Sequence, residues 1–162
     1  MKKIISFLML TLLLTFSINS NLSAQTSPVQ ISILAPIQLF NEDTSIEGLR
    51  LSLLYGKNYN MTGFDLGLVS HTTGEFKGVQ FGFLGISDSD FTGWQDNSIN
   101  WTKGKFKGLQ FGIVNYAKSM SGVQFGLVNY TMYMDKGLQI GLINIIKENG
   151  AFPFFPIVNW SF

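Results

Sequence analysis

The chain has 162 residues, with 17 glycines, no cysteine, 14% aromatic and only 13% charged residues, and a formal net charge of +1. Without cysteine, neither disulfides nor thiolate metal sites can hold the fold. A near-neutral balance with no basic cluster argues against nucleic acid as a partner, and the aromatic content argues against an intrinsically disordered chain.

The N-terminus reads as an export signal. Lys2 and Lys3 form a positive head, Ile4 to Ile18 are mostly apolar, and Leu22-Ser23-Ala24 offers small residues for a signal peptidase. The uninterrupted apolar part is shorter than the ~20 residues that a spanning helix needs. Residues 1–24 are therefore expected to be a cleaved signal peptide. No cysteine follows for lipid attachment, and the mature part amounts to one domain.

Residues 25–47 form an N-terminal strand and cap, in which the strand-like segment Val29 to Phe40 contains Pro36. Residues 48–151 follow a repeat. Lead glycines at 48, 63, 78, 93, 108, 122 and 137 are 15 residues apart, once 14, and the best units read Gly108-Leu-Gln-Phe-Gly-Ile-Val-Asn and Gly122-Val-Gln-Phe-Gly-Leu-Val-Asn. Residues 152–162 are an altered, capping copy with Pro153 and Pro156. Such regularity over eight units marks a repeat architecture.

Each unit alternates with period two, the mark of a β-strand. One set of positions is large and apolar: Leu109, Phe111, Ile113; Val123, Phe125, Leu127; Leu138, Ile140, Leu142. These triplets are expected to point into the interior. The other set carries Gln80, Gln95, Gln110, Gln124 and Gln139, preceded by Arg50 and Asp65 in the first units. Asparagines 100, 115, 129, 144 and 159 close the strands, and a further apolar column (Ile46, Met61, Phe76, Phe91, Phe106, Met120) precedes the lead glycines.

The fold class is all-β, and two architectures fit. One is a β-solenoid with one unit per coil; the other is a small up-and-down outer-membrane β-barrel. Three alternating apolar positions cover roughly 13 Å of strand, against the ~25 Å apolar band of a membrane barrel. The prolines near both ends suit edge strands, which a solenoid has and a barrel lacks. The solenoid is preferred. The closing Asn159-Trp160-Ser161-Phe162, with its C-terminal aromatic, speaks for the barrel.

The segments Pro36-Ile-Gln-Leu, Glu47-Gly-Leu-Arg-Leu, Gly63-Phe-Asp-Leu-Gly-Leu, the Gly-Leu-Gln-x-Gly-Leu-x-Asn units and the closing Gly150-Ala-Phe-Pro-Phe-Phe-Pro-Ile-Val-Asn-Trp-Ser-Phe resemble a family of bacterial surface-repeat proteins first noticed in leptospires. The resemblance spans the mature chain and implies an exported surface protein whose biochemical role is not established. It brings no catalytic residues. The fourth unit departs from the pattern, with Asp96, Asn97 and Ser98 at apolar and glycine positions.

Candidate sites are few. His71 is the sole histidine, so neither a two-histidine metal site nor a Ser-His-Asp set is visible. Asp88, Asp90 and Asp96 partly match a calcium loop around Gly93, but Ile99 stands where the closing bidentate glutamate belongs. Gln80, Gln95, Gln110, Gln124 and Gln139 would stack about 4.8 Å apart on an outer face of the coils and hydrogen-bond along the ladder, a structural column first and, as the sharper alternative, a candidate docking face. The expectation is a non-enzymatic protein without cofactor. It would reside in the periplasm, outer membrane or cell surface, with a structural or binding role toward an envelope partner. No small-molecule substrate is indicated; the barrel alternative would be a pore or adhesin, and it carries the expectation of membrane association.

Overall fold

The structure is a computed structural model that describes residues 25–162; the expected signal peptide, residues 1–24, lies outside them. Each unit makes one circuit of a β-solenoid. Nine strands form one sheet in the order β2-β1-β3-β4-β5-β6-β7-β8-β9. They are β1 (Thr26–Leu34), β2 (Ile37–Gln38), β3 (Ser45–Asn58), β4 (Met61–Thr72), β5 (Phe76–Ser87), β6 (Phe91–Phe111), β7 (Val114–Phe125), β8 (Val128–Glu148) and β9 (Phe154–Ser161). From β1 to β8 all sequential neighbours but the short β2 are parallel and in register, so that Gly63 lies beside Gly78, Gln80 beside Gln95, and Asn115 beside Asn129. The order is linear and does not close, so the chain is a solenoid and not a barrel.

The lead glycines are a backbone requirement. All seven have φ between +123° and +150°, a region that side-chain-bearing residues avoid. At Gly78 an added Cβ would collide with the carbonyl oxygen of Gly63 in the preceding coil. The most regular residue of the repeat is thus the one that lets successive coils touch.

Both ends fold back. After β1 the chain turns at Pro36, and β2 pairs antiparallel with β1. At the other end β9 returns antiparallel along β8, placing Asn159 opposite Gln139. These returns occupy the sheet edges, and Pro156 in β9 sits on such an edge, where a missing ladder donor is tolerated.

The interior corrects the expected orientation of the strands. The hydrophobic core consists mainly of the column two or three residues before each lead glycine: Ile46, Met61, Phe76, Phe91, Phe106, Met120 and Met134, all at most 1% exposed. Its phenylalanines stack, Phe76 on Phe91 at 4.2 Å and Phe91 on Phe106 at 5.1 Å between ring centroids. This spacing follows from strands about 4.8 Å apart. The triplets expected inside lie outside instead; Phe111 is 44% exposed and Leu142 is 65% exposed. Behind them run the glutamines and asparagines, fully buried.

The physical reason lies in the narrow coil. Between the glutamine and asparagine columns the inward residue is Gly67, Gly82, Gly112, Gly126 or Gly141, and a Cβ at Gly82 or Gly141 would strike backbone of the preceding coil. Large side chains have no room there. Carboxamides fit because each pairs with its copy one coil away.

Replacing Phe91 by alanine is expected to cost about 3–5 kcal/mol by urea unfolding, the usual range for emptying a buried aromatic site. Phe111→Asp, which would destroy the fold if the triplets were core, is expected to keep the β-sheet circular dichroism, losing only about 1 kcal/mol of stacking on Phe125.

Candidate functional site

The outward triplets of successive coils assemble an apolar sheet face. It runs from Val29, Ile31 and Ile33 in β1 to Leu138, Ile140 and Leu142 in β8, with Ile157 of β9 at the far edge. Aromatic contacts along it include Phe64 with Phe81 at 5.7 Å, Phe81 with Trp94 at 5.3 Å, and Phe111 stacked on Phe125 at 5.2 Å. Two shallow grooves follow the small residues between the outward columns. One, of about 690 Å³, is lined by Ile31, Ile33, Leu51, Leu53, Leu66 and Leu68 among others. The other, of about 580 Å³, is lined chiefly by Phe111, Ile113, Phe125, Leu127, Ile140 and Leu142.

Between the grooves lies the irregular fourth unit, with Asp96 and Ser98 on the outside. Asp96 stands in register with Phe81, and partial burial raises its pKa above the ordinary carboxylate value. Contiguous exposed apolar patches of this extent are uncommon on monomeric soluble proteins and mark interaction surfaces.

The face is rigid because of what lies behind it. Each glutamine donates its Nε2 to the oxygen of the one before: Gln139 to Gln124, Gln124 to Gln110, Gln110 to Gln95 and Gln95 to Gln80, at 2.7, 2.7, 2.9 and 3.0 Å. A row with one direction needs an acceptor at its end. Asp65 supplies it, taking Gln80 Nε2 on Oδ2 at 2.9 Å. Its charge is matched by Arg50, which donates Nε and Nη2 to the two carboxylate oxygens at 2.8 and 2.7 Å. Both side chains are fully buried, and Arg50 Nη2 and Nη1 also donate to Thr72 Oγ1 and the His71 carbonyl.

The asparagine row runs the opposite way. Asn100, Asn115 and Asn129 each donate Nδ2 to the Oδ1 of the next, all at 2.8 Å, so the two rows have opposed dipoles. Asn97 ties them together, donating to Gln80 Oε1 at 3.1 Å and Asn100 Oδ1 at 2.7 Å. The departure of the fourth unit from the repeat thus has a structural role inside and a polar consequence outside.

The glutamine columns are consequently no docking face. Gln80, Gln95, Gln110, Gln124 and Gln139 are 0% exposed, because their amides satisfy one another in the interior. The calcium-loop residues do not converge either. Asp88 and Asp90 lie in the turn before strand β6, and β6 carries Asp96 roughly 20 Å from Asp90 at ~3.3 Å per residue. Asp90 Oδ1 accepts from the Lys105 amide, and Asp88 is engaged by His71 and Lys103. Among the described residues no group of three or more His, Asp or Glu could hold a metal ion.

His71 belongs to a row that the repeat alignment does not reveal. Tyr55 Oη lies 2.9 Å from its Nδ1, and its Nε2 lies 2.8 Å from Asp88 Oδ2, while Lys103 Nζ sits 2.7 Å from Asp88 Oδ1. Burial raises the Tyr55 pKa. At Asp88, burial pushes upward most strongly, but hydrogen bonds and charge from Lys103 and His71 together outweigh it and lower the pKa. Both imidazole nitrogens have protein partners, a tyrosine hydroxyl on one and a carboxylate on the other. The row climbs diagonally, with steps of 16 and 17 residues; that is why fifteen-residue columns hide it. Beside it Trp101, Tyr116 and Tyr130 stack at 4.2 and 5.6 Å.

Comparison with family models, curated proteins and solved structures gives no match for this chain.

Two outcomes test these placements. Asp65→Asn strips the counter-charge from a buried guanidinium and is expected to cost about 3–5 kcal/mol. The double variant Arg50→Gln/Asp65→Gln, which continues the amide row, is expected to recover most of that loss in the same urea titration. Asp96→Asn is expected to raise the melting temperature at pH 7, where the wild-type carboxylate is held charged in a partly desolvated site. Because the folded-state pKa is raised, wild-type stability falls as pH rises through it, and the advantage of the asparagine variant is expected to vanish below the ordinary aspartate pKa.

Proposed function

We propose that the protein is an exported, non-enzymatic repeat protein of the bacterial cell envelope that works by binding, with the outward apolar sheet face as its working surface. The observation that carries this proposal is the array of outward Leu, Ile, Val and Phe side chains, broken at Asp96 and Ser98, on a scaffold whose glutamine and asparagine columns face the interior. Burying these side chains against a partner is favoured by about 25 cal/mol per Å² of apolar surface, so a rigid, pre-formed face of this kind gains affinity without ordering cost. The N-terminal Lys-Lys head, apolar run and Leu22-Ser23-Ala24 site support export. The likeness of the repeats to the surface-repeat proteins of leptospires agrees with an envelope address.

Expression of the full chain in a diderm host, with N-terminal sequencing and fractionation of the product, tests the address. The expected product begins at Gln25 and appears in the envelope or periplasmic fraction. A product that retains Met1 and stays in the cytosol would contradict export.

A further inference from the structure

We propose that the apolar face is covered by a second copy of this chain, packed face to face with the two solenoid axes antiparallel about a two-fold axis through the Trp94–Asp96–Ser98 row. The inference rests on the apolar face being the working surface and names its occupant.

Three observations lead to it. The first is extent. Nine rows at about 4.8 Å, each with outward side chains over some 13 Å, make a face of roughly 40 by 13 Å, on the order of 500 Å². Two such faces bury about 1,000 Å² in all, the lower end of the range for a specific interface, and two sheets with apolar inner faces pack about 10 Å apart as a sandwich.

The second is symmetry. The row of Asp96 and Ser98 has four rows on each side: β1, β3, β4 and β5 toward the N-terminus, and the second pass of β6, β7, β8 and β9 toward the C-terminus. The two grooves of about 690 and 580 Å³ flank it. A two-fold axis along this row lays each groove on the other. Phe125 then faces Leu66 of the other copy, Phe64 faces Val123 and Phe83 faces Ile113, while aromatic meets aromatic next to the axis, where Phe81 faces Phe111 and Trp94 faces its own copy. The registers are those of the observed coil alignment.

The third is charge. Residues 25–100 contain eight Asp or Glu against three Lys or Arg, whereas residues 101–162 contain two against six. Antiparallel solenoids place each acidic half over a basic half; parallel ones would place like on like. At the rim of the face Glu47 comes opposite Lys136 of the other copy. Lys77, which comes opposite Lys107, already carries Glu75 as counter-ion at 2.6 Å.

The fourth unit sets the register. A slipped pairing lays Asp96 and Ser98 on apolar rows such as Phe81 or Phe111, whereas the central register brings polar row to polar row. The cost that persists is the approach of two carboxylates across the axis, so Asp96→Asn is expected to tighten the dimer at least about tenfold.

The chain contains no cysteine, which makes the geometry testable with the purified mature protein, residues 25–162, the whole of the described fold. Sedimentation equilibrium without detergent is expected to give twice the monomer mass at micromolar concentration. Phe125→Lys/Leu127→Lys is expected to give a monomer with unchanged far-ultraviolet circular dichroism. On mild oxidation Ser98→Cys is expected to cross-link with itself. Leu53→Cys is not, but is expected to cross-link when mixed with Leu142→Cys. A wild-type monomer at about 100 µM overturns the proposal, as does a dimer that survives the double lysine variant or self-links through Leu53→Cys. A monomer that floats with phosphatidylglycerol vesicles also overturns it and assigns the face to lipid. None of these results bears on the start at Gln25 or the envelope fraction, by which the exported-protein proposal stands or falls.

Discussion

The structure depends on one constraint: each interior position must be satisfied by a copy of itself about 4.8 Å above and below. Few side chains meet that condition. Phenyl rings stack on phenyl rings, as Phe76, Phe91 and Phe106 do. Carboxamides meet it best, since each carries both a donor and an acceptor and passes a hydrogen bond along the axis. Glycine meets it by leaving the backbones in contact. A like charge cannot, and the buried ion pair accordingly joins unlike residues in adjacent coils, Arg50 over Asp65, at the one place where the amide row must end.

Much of this was legible in the sequence. The fifteen-residue period gave the repeat, the alternation gave the strands, and the short apolar triplets favoured a solenoid over a membrane barrel. The prolines marked the ends, where β2 and β9 turn back. What alternation does not decide is which face is inside. The usual guide puts large apolar side chains in the core, and here it misled. The column of Ile46, Met61 and Phe76 needed only one side of a thin coil, while the richer Leu-Phe-Ile triplets had no interior wide enough to receive them. A sequence signal for the true orientation did exist. Glycines at 82, 112, 126 and 141 share the period-two face with the glutamines and not with the triplets, and such a column of missing side chains marks the side where backbones crowd.

The candidate site was half legible. The side chains of the apolar face were identified, but assigned to the wrong side of the sheet. The glutamine column was identified as a hydrogen-bonded ladder, but placed in solvent. His71 and Asp88 were each considered, but their association with one another and with Tyr55 escaped notice because these contacts cross the coils diagonally. The fourth unit, which looked like decay of the repeat, joins two ladders through Asn97 inside and interrupts the apolar face with Asp96 and Ser98 outside. Interior self-pairing thus links architecture to function: with the polar groups consumed within, the surface left to meet partners is apolar.

The most direct measurement of that arrangement is hydrogen exchange of side-chain amides by nuclear magnetic resonance, with the carboxamides of Gln95, Gln110 and Gln124 assigned. If these groups form the buried row, their Nε2 protons should exchange as slowly as the backbone amides of the central strands. Exchange at the rate of a free glutamine side chain, complete within the dead time while the sheet stays protected, would place the row in solvent and contradict the orientation on which everything else rests.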